Sequence, residues 1–152
     1  MDFTSTDNLA RLVGKKHELL AQLRDVGRRQ LELIEAGDLT QLLRLLASKQ
    51  RLLTGLHAVE RQLDPFRRDD PERRPWRTGA ERLRCAELAE ACNALLADVV
   101  AGEKQSESRM RLRRDEAAVR LQGVHQATQA RQAYFQPTGV HEPRQLDLSS
   151  GS

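Results

Sequence analysis

Aromatic side chains are scarce in this sequence of 152 residues: Phe3, Phe66, Trp76, Tyr134 and Phe135 are all it has, with almost no isoleucine. Strands are built largely from β-branched and aromatic residues, so a sheet has little to be made of. Cysteine is scarce too. Cys85 and Cys92 stand seven residues apart, a separation of roughly 10 Å on a helix, which one disulfide does not bridge. They also lack the nearby histidine or CxxC spacing of a metal site, and are expected to be reduced, small apolar side chains. No run of about 18 apolar residues occurs, which excludes membrane insertion by a spanning helix. The first seven residues, Met1-Asp2-Phe3-Thr4-Ser5-Thr6-Asp7, lack the basic and apolar regions of a secretory signal. The chain is expected in the cytoplasm.

What the sequence does have is leucine, 24 times, and arginine, 21 times. The net charge is only +3, with 25 basic and 22 acidic residues interleaved. Interleaving describes a solvated helix surface, and no nucleic-acid partner is expected. A core of leucine and alanine suits packed helices, and the fold class expected is all-α.

The first helix is predicted over about 7–36. Leu9, Leu12, Leu19, Leu23, Val26 and Leu33 fall in a three-four alternation that only Lys16 and Gln30 interrupt. Val13, Leu20 and Ile34 widen the stripe, so this helix should meet more than one neighbour. Gly37 supplies the left-handed residue that ends a helix, and Asp38 can cap the next. The second helix is predicted over about 39–63. Leu42, Leu45, Leu46, Leu52, Leu53, Leu56, Val59 and Leu63 share one broad face, with Lys49 and Glu60 at its polar breaks. So short a link makes the two helices an antiparallel hairpin.

Residues 64–79 read as a connector, because three prolines and a dense mixture of charges exclude a regular helix through it. Phe66 and Trp76 are expected to pin its ends onto the open end of the hairpin. No proline interrupts residues 80–135, predicted as a long third helix. Leu88, Cys92, Leu95, Leu96, Val99 and Val100 give it an apolar face. A polar stretch over 101–108 follows, and apolar positions then resume more thinly. Residues 1–136 are thus taken as a single helical domain, a coiled-coil-like bundle, and 137–152 as a disordered C-terminal tail.

Helix lengths bear on function. At 1.5 Å per residue the first helix is roughly 45 Å long and a continuous third helix roughly 80 Å. The hairpin can cover only the first half of the third. Either the chain bends near Gly102 and folds back, or Leu112, Ala117, Val119, Leu121 and Val124, with Tyr134 and Phe135 at the far end, await another chain. Those seven are the candidate client-binding residues, inferred from apolar spacing. The partner is either a protein client or a second copy, the latter making a homodimer.

No catalytic constellation is present, and the chain reads as not an enzyme. His17, His57, His125 and His141 are scattered. His17-Glu18-Leu19-Leu20-Ala21 begins like a zinc-protease helix, but Ala21 stands where the second histidine must be. Gly14, Gly27, Gly37 and Gly55 are isolated, so no phosphate loop forms and no cofactor is expected. Glu32, Glu35 and Asp38 crowd a helix end as solvated or capping carboxylates. The arginines at 109–114 and 67–77 are interrupted by Asp115, Glu116, Asp69, Asp70 and Glu72, with no stacking aromatics between them.

One stretch resembles a known family. Gln30-Leu31-Glu32-Leu33-Ile34-Glu35-Ala36-Gly37-Asp38-Leu39, then Leu42-Leu43, Leu45-Leu46, Lys49-Gln50, Leu52-Leu53, Leu56 and Glu60, is similar to the FlgN-type flagellar export chaperones. In that family a long first helix closes at a Gly-Asp turn, and the second carries repeated leucines and a Lys-Gln pair. The similarity runs over residues 9–63 and more loosely over 80–134. It implies a cytosolic chaperone without enzymatic activity. Its clients would be the hook–filament junction proteins FlgK and FlgL, held by their C-terminal helical segments before type III export. The resemblance places client contacts toward the C-terminal part of the chaperone. The competing expectation is a homodimeric coiled-coil adaptor or structural protein with no export role.

Overall fold

A computed structural model describes residues 2–135. They form three α-helices and no strand: α1, Thr4–Ala36; α2, Leu39–Arg67; and α3, Gly79–Phe135, with a short 3-10 helix, Pro71–Arg73, between the last two. The all-α class read from leucine and the lack of aromatics is the fold observed. The described residues divide into two units, one ending at Met110 and the other beginning at Arg111. The predicted tail, 137–152, lies outside the described residues.

The turn between α1 and α2 is built as its residues dictate. Gly37 adopts φ 71°, the left-handed conformation, and its N–H and that of Asp38 donate to the carbonyls of Ile34 and Leu33. The last carbonyls of α1 are thereby satisfied. Asp38 then caps α2, its carboxylate accepting from the Gln41 N–H at 3.1 Å. Below this turn Leu33, Ile34, Leu42 and Leu45 form a small cluster of their own.

The main core joins Leu9, Leu12, Val13, Leu19, Leu20 and Leu23 of α1 to Val59 and Leu63 of α2 and to Cys85, Cys92 and Leu95 of α3. Along α3 the inward residues are Cys85, Leu88, Cys92, Leu95 and Val99, spaced three and four apart. Leu96 and Val100, predicted to share that face, are exposed. They sit one position past the seam, where the helix turns about 100° away from it.

The polar breaks in the seams meet one another. Lys16 of α1 pairs with Glu60 of α2 at 2.8 Å. About three to four turns further on, Lys49 of α2 donates to the Gln30 side chain at 3.2 Å and to Glu103 of α3. Gln30 is buried, so without Lys49 its carbonyl would be a buried acceptor with no partner. Arg109 of α3 and Glu35 of α1 pair at 3.5 Å further along.

Two helix boundaries differ from those predicted. α1 begins at Thr4 rather than 7, because Asp2 accepts from the Thr4 N–H and hydroxyl at 2.9 and 2.6 Å. Thr6, which looks unremarkable as sequence, is buried and donates to the Pro75 carbonyl at 2.8 Å. α2 runs through Pro65 to Arg67, correcting the expectation that the connector begins at 64. A proline in the last turn forfeits a single backbone bond. Against that loss, Phe66 packs on the core and Arg67 reaches back to Glu60 and Asp64. Trp76 packs on the same core from the connector, as expected, whereas Phe66 does so as a residue of α2 rather than of the connector.

Burial opposes ionisation of Glu60, but the hydrogen bonds from Lys16 and Arg67 outweigh it and hold its carboxyl below the ordinary 4.5. A carboxyl lowered by folding stabilises the native state above its unfolded value, and that contribution is lost as pH falls through the folded value. Glu60→Gln should therefore lower stability at pH 7 by about 1–2 kcal/mol, the usual worth of charge-assisted hydrogen bonds. Urea titrations should show its deficit shrinking as pH falls below 4.5, where the unfolded carboxyl takes up a proton, and vanishing once the folded carboxyl is protonated as well. A deficit independent of pH would mean that packing, not charge, is what Glu60 contributes.

Candidate protein-binding surface

Over 111–135 every described residue is exposed apart from the half-buried Arg113. Leucine, alanine, glutamine and arginine are all good helix formers, and no proline interrupts them. Helix is therefore favoured locally without a buried face.

All seven sequence-predicted residues lie on this segment and all are accessible. Leu112 is 44% exposed, Val119 and Leu121 70%, Val124 65%, Tyr134 82% and Phe135 74%. The helix does not gather them on one side. At about 100° per residue, Ala117, Leu121, Val124 and Phe135 fall within about 60° of one another. Leu112, Val119 and Tyr134 occupy an equally narrow band on the opposite side. The rings of Tyr134 and Phe135 touch edge to face, with centroids 5.1 Å apart. Sequence spacing alone had pooled two rows that one partner helix does not touch at once.

The two rows carry different charges. Arg113, Arg120 and Arg131 border the row of Leu121 along one side and Arg114 along the other, by the same rotation. The acids of the segment, Asp115 and Glu116, lie toward the row of Leu112 and Val119. Asp115 is 3.6 Å from Arg114.

Gly102, the proposed bending point, lies within α3 without breaking it, and its φ is not positive.

The first unit contributes a patch that sequence reasoning missed. Leu39 and Leu43 of α2 are 64% and 68% exposed, and Leu46 lies on the same face, partly open. The signal was in the sequence. Leucines at 39, 42, 43, 45, 46, 52 and 53 cover more of α2 than one neighbouring helix can bury. An open groove of about 520 Å³ runs beside α3, lined by Gln30, Val99, Val100, Glu103 and Ser106. The Ser106 hydroxyl is buried without a hydrogen-bond partner.

Residues weighed for other chemistry are occupied structurally. Burial pushes the thiols of Cys85 and Cys92 up, with Arg74 opposing at the first and Lys16 at the second. Both are free thiols, and Cys92 donates to the Val13 carbonyl at 3.8 Å. The connector arginines are tied locally: Arg73 to Asp70, Arg74 to the Phe66 carbonyl, and Arg77 to Asp7. Arg77 also lies over the Phe3 ring, 5.1 Å from its centre. Its hydrogen bond holds the Asp7 carboxyl below the ordinary range. Among the described residues no three potential metal ligands cluster, and no helix is long and apolar enough to cross a membrane.

The difference between core and candidate surface is measurable. Leu20 is fully buried, and Leu20→Ala should cost about 2–5 kcal/mol in urea unfolding. Leu121→Ala should cost less than about 0.5 kcal/mol, as an exposed substitution does. Equal costs would show that Leu121 is covered in the free protein. No protein-family model, curated protein or solved structure matches the chain.

Proposed function

We propose that this protein is a non-enzymatic cytoplasmic chaperone that captures a helical segment of a client protein along residues 111–135. The observation that carries the reading is the exposure of Leu121, Val124 and Phe135 in one row on a helix with no buried residue around them. Exposed apolar surface of this kind marks an interaction site more often than a solvent face. A helical client docking by its own apolar stripe is the partner such a row fits.

The energetics suit a cargo that must later be released. Each leucine-sized side chain buried contributes about 1.5–3 kcal/mol. Ordering the client segment costs about 2–5 kcal/mol of the gross interaction. Three or four such contacts leave affinity in the range of roughly micromolar to nanomolar.

The finer reading rests on the resemblance of residues 9–63 to FlgN-type chaperones. On it, the client is the C-terminal helical segment of a FlgK-like or FlgL-like hook–filament junction protein, held before type III export. The Gly37-Asp38 turn and the Lys49 break that carry the resemblance both have defined structural work here. That agreement supports the reading.

Calorimetry with the C-terminal segments of hook-associated proteins from the same genome tests it. Binding at micromolar affinity or tighter is expected, and Leu121→Asp should weaken it about hundredfold, a loss of some 2.8 kcal/mol. Far-ultraviolet circular dichroism of that variant should be unchanged. Undiminished binding by Leu121→Asp would place the site elsewhere. Absence of binding to any such segment would remove the export reading.

A further inference from the structure

We infer that the row of Leu121 selects a helix whose apolar stripe is bordered by carboxylates, and rejects a second copy of this chain. The inference rests on the reading of residues 111–135 as a helix-capturing surface, and names the partner's chemistry.

Ala117, Leu121, Val124 and Thr128 alternate four and three apart, as the contact positions of a two-helix seam do. Continued in both directions, that alternation reaches Arg114 on one side and Arg131 then Phe135 on the other. The seam therefore reads Arg, Ala, Leu, Val, Thr, Arg, Phe. All seven side chains are exposed.

Consider a second copy on this row. In a parallel, in-register pair each seam residue meets itself, which sets Arg114 on Arg114 and Arg131 on Arg131. In an antiparallel pair that keeps Leu121 against Val124, Arg114 meets Arg131 at both ends. Sliding by a heptad instead sets an arginine against Leu121 or Val124. The first two arrangements set guanidinium groups on one another, and the slid ones set an arginine on an apolar side chain, although Arg114 keeps Asp115 of its own helix 3.6 Å away. Crowding of like charges in a seam is the device by which coiled coils refuse a partner. Packing this row on the opposite row of another copy does not repair it. Asp115 and Glu116 are adjacent, whereas Arg114 and Arg131 are roughly 25 Å apart on the helix. Such a contact would also be head-to-tail and open-ended.

A different chain satisfies all positions together. It needs an apolar stripe to cover Leu121, Val124 and Phe135, with Asp or Glu about 25 Å apart to meet the two arginines. Arg120 extends the same preference along one border. Charge of this kind sets partner choice and register, while the apolar contacts supply affinity.

The test uses the full chain and designed amphipathic peptides about three heptads long with one leucine stripe. The stripe is bordered by Glu in one peptide, by Gln in a second and by Lys in a third. Fluorescence anisotropy should rank them Glu, Gln, Lys, with roughly tenfold or more between the extremes and a gap that narrows as salt is added. The double variant Arg114→Glu/Arg131→Glu should invert the ranking, with helicity unchanged. Sedimentation of the free chain should show a monomer.

Equal affinity for the three peptides would overturn the selection while leaving helix capture standing. Failure of all three to bind would overturn both. A dimer, or a mass that grows with concentration, dispersed by Leu121→Asp would overturn the inference in favour of self-association.

Discussion

Lys16 and Glu60 meet between α1 and α2, and Lys49 bridges Gln30 to Glu103 further along. On these polar contacts the rest of the bundle depends for its register. Leucine packs against leucine almost equally well after a shift of one heptad, so an all-leucine seam specifies burial without specifying alignment. A shift here would leave Lys16 and Glu60 partly buried without each other, and Gln30 without its donor. Because Glu103 belongs to α3, the second contact also fixes how far the third helix advances along the hairpin.

The ends of the first unit are closed by different means. At one, Gly37 and Asp38 satisfy the backbone groups left by two helix termini. At the other, the connector returns to the start of α1: Thr6 donates to Pro75, Asp7 pairs with Arg77, and Phe3 lies beneath the Arg77 guanidinium. Phe66 and Trp76 then seal the core between these contacts. The arginine density of this segment, which as sequence could suggest phosphate binding, is largely accounted for by intramolecular acceptors.

Much of this was legible in the sequence, and for physical reasons. Heptad spacing reports burial directly, so Leu9, Leu12, Leu19, Leu23 and Leu33 were found as core and are core. The four seam-breaking residues were visible as breaks, but nothing in one helix's periodicity says which break faces which. Only the hairpin brings Lys16 to Glu60. Boundaries were missed where a tertiary contact overrode a local rule, as at Pro65, or replaced a missing apolar signal, as at Thr6. The candidate surface was legible as a set of residues and not as a surface. Spacing identified Leu112, Val119 and Leu121 as apolar without partners, while rotation along the helix divides them between opposite faces.

A single asymmetry follows. The first unit buries a leucine core and pairs its seam-breaking polar residues, leaving Leu39, Leu43 and Leu46 as an open patch on α2, whereas residues 111–135 present leucine, valine and phenylalanine to solvent with no buried residue among them. Exposed along almost its whole length, that segment draws its helical stability from local propensity rather than from packing. Amide hydrogen exchange, read by mass spectrometry on the free chain at low concentration, tests that claim most directly. Amides of the main core around Leu12, Leu20 and Cys92 should be strongly protected, and those of 111–135 should exchange orders of magnitude faster. The second group should gain protection when a helical client is added. Protection of 111–135 in the free chain equal to that of the core would contradict the account, since that helix would then already have its partner.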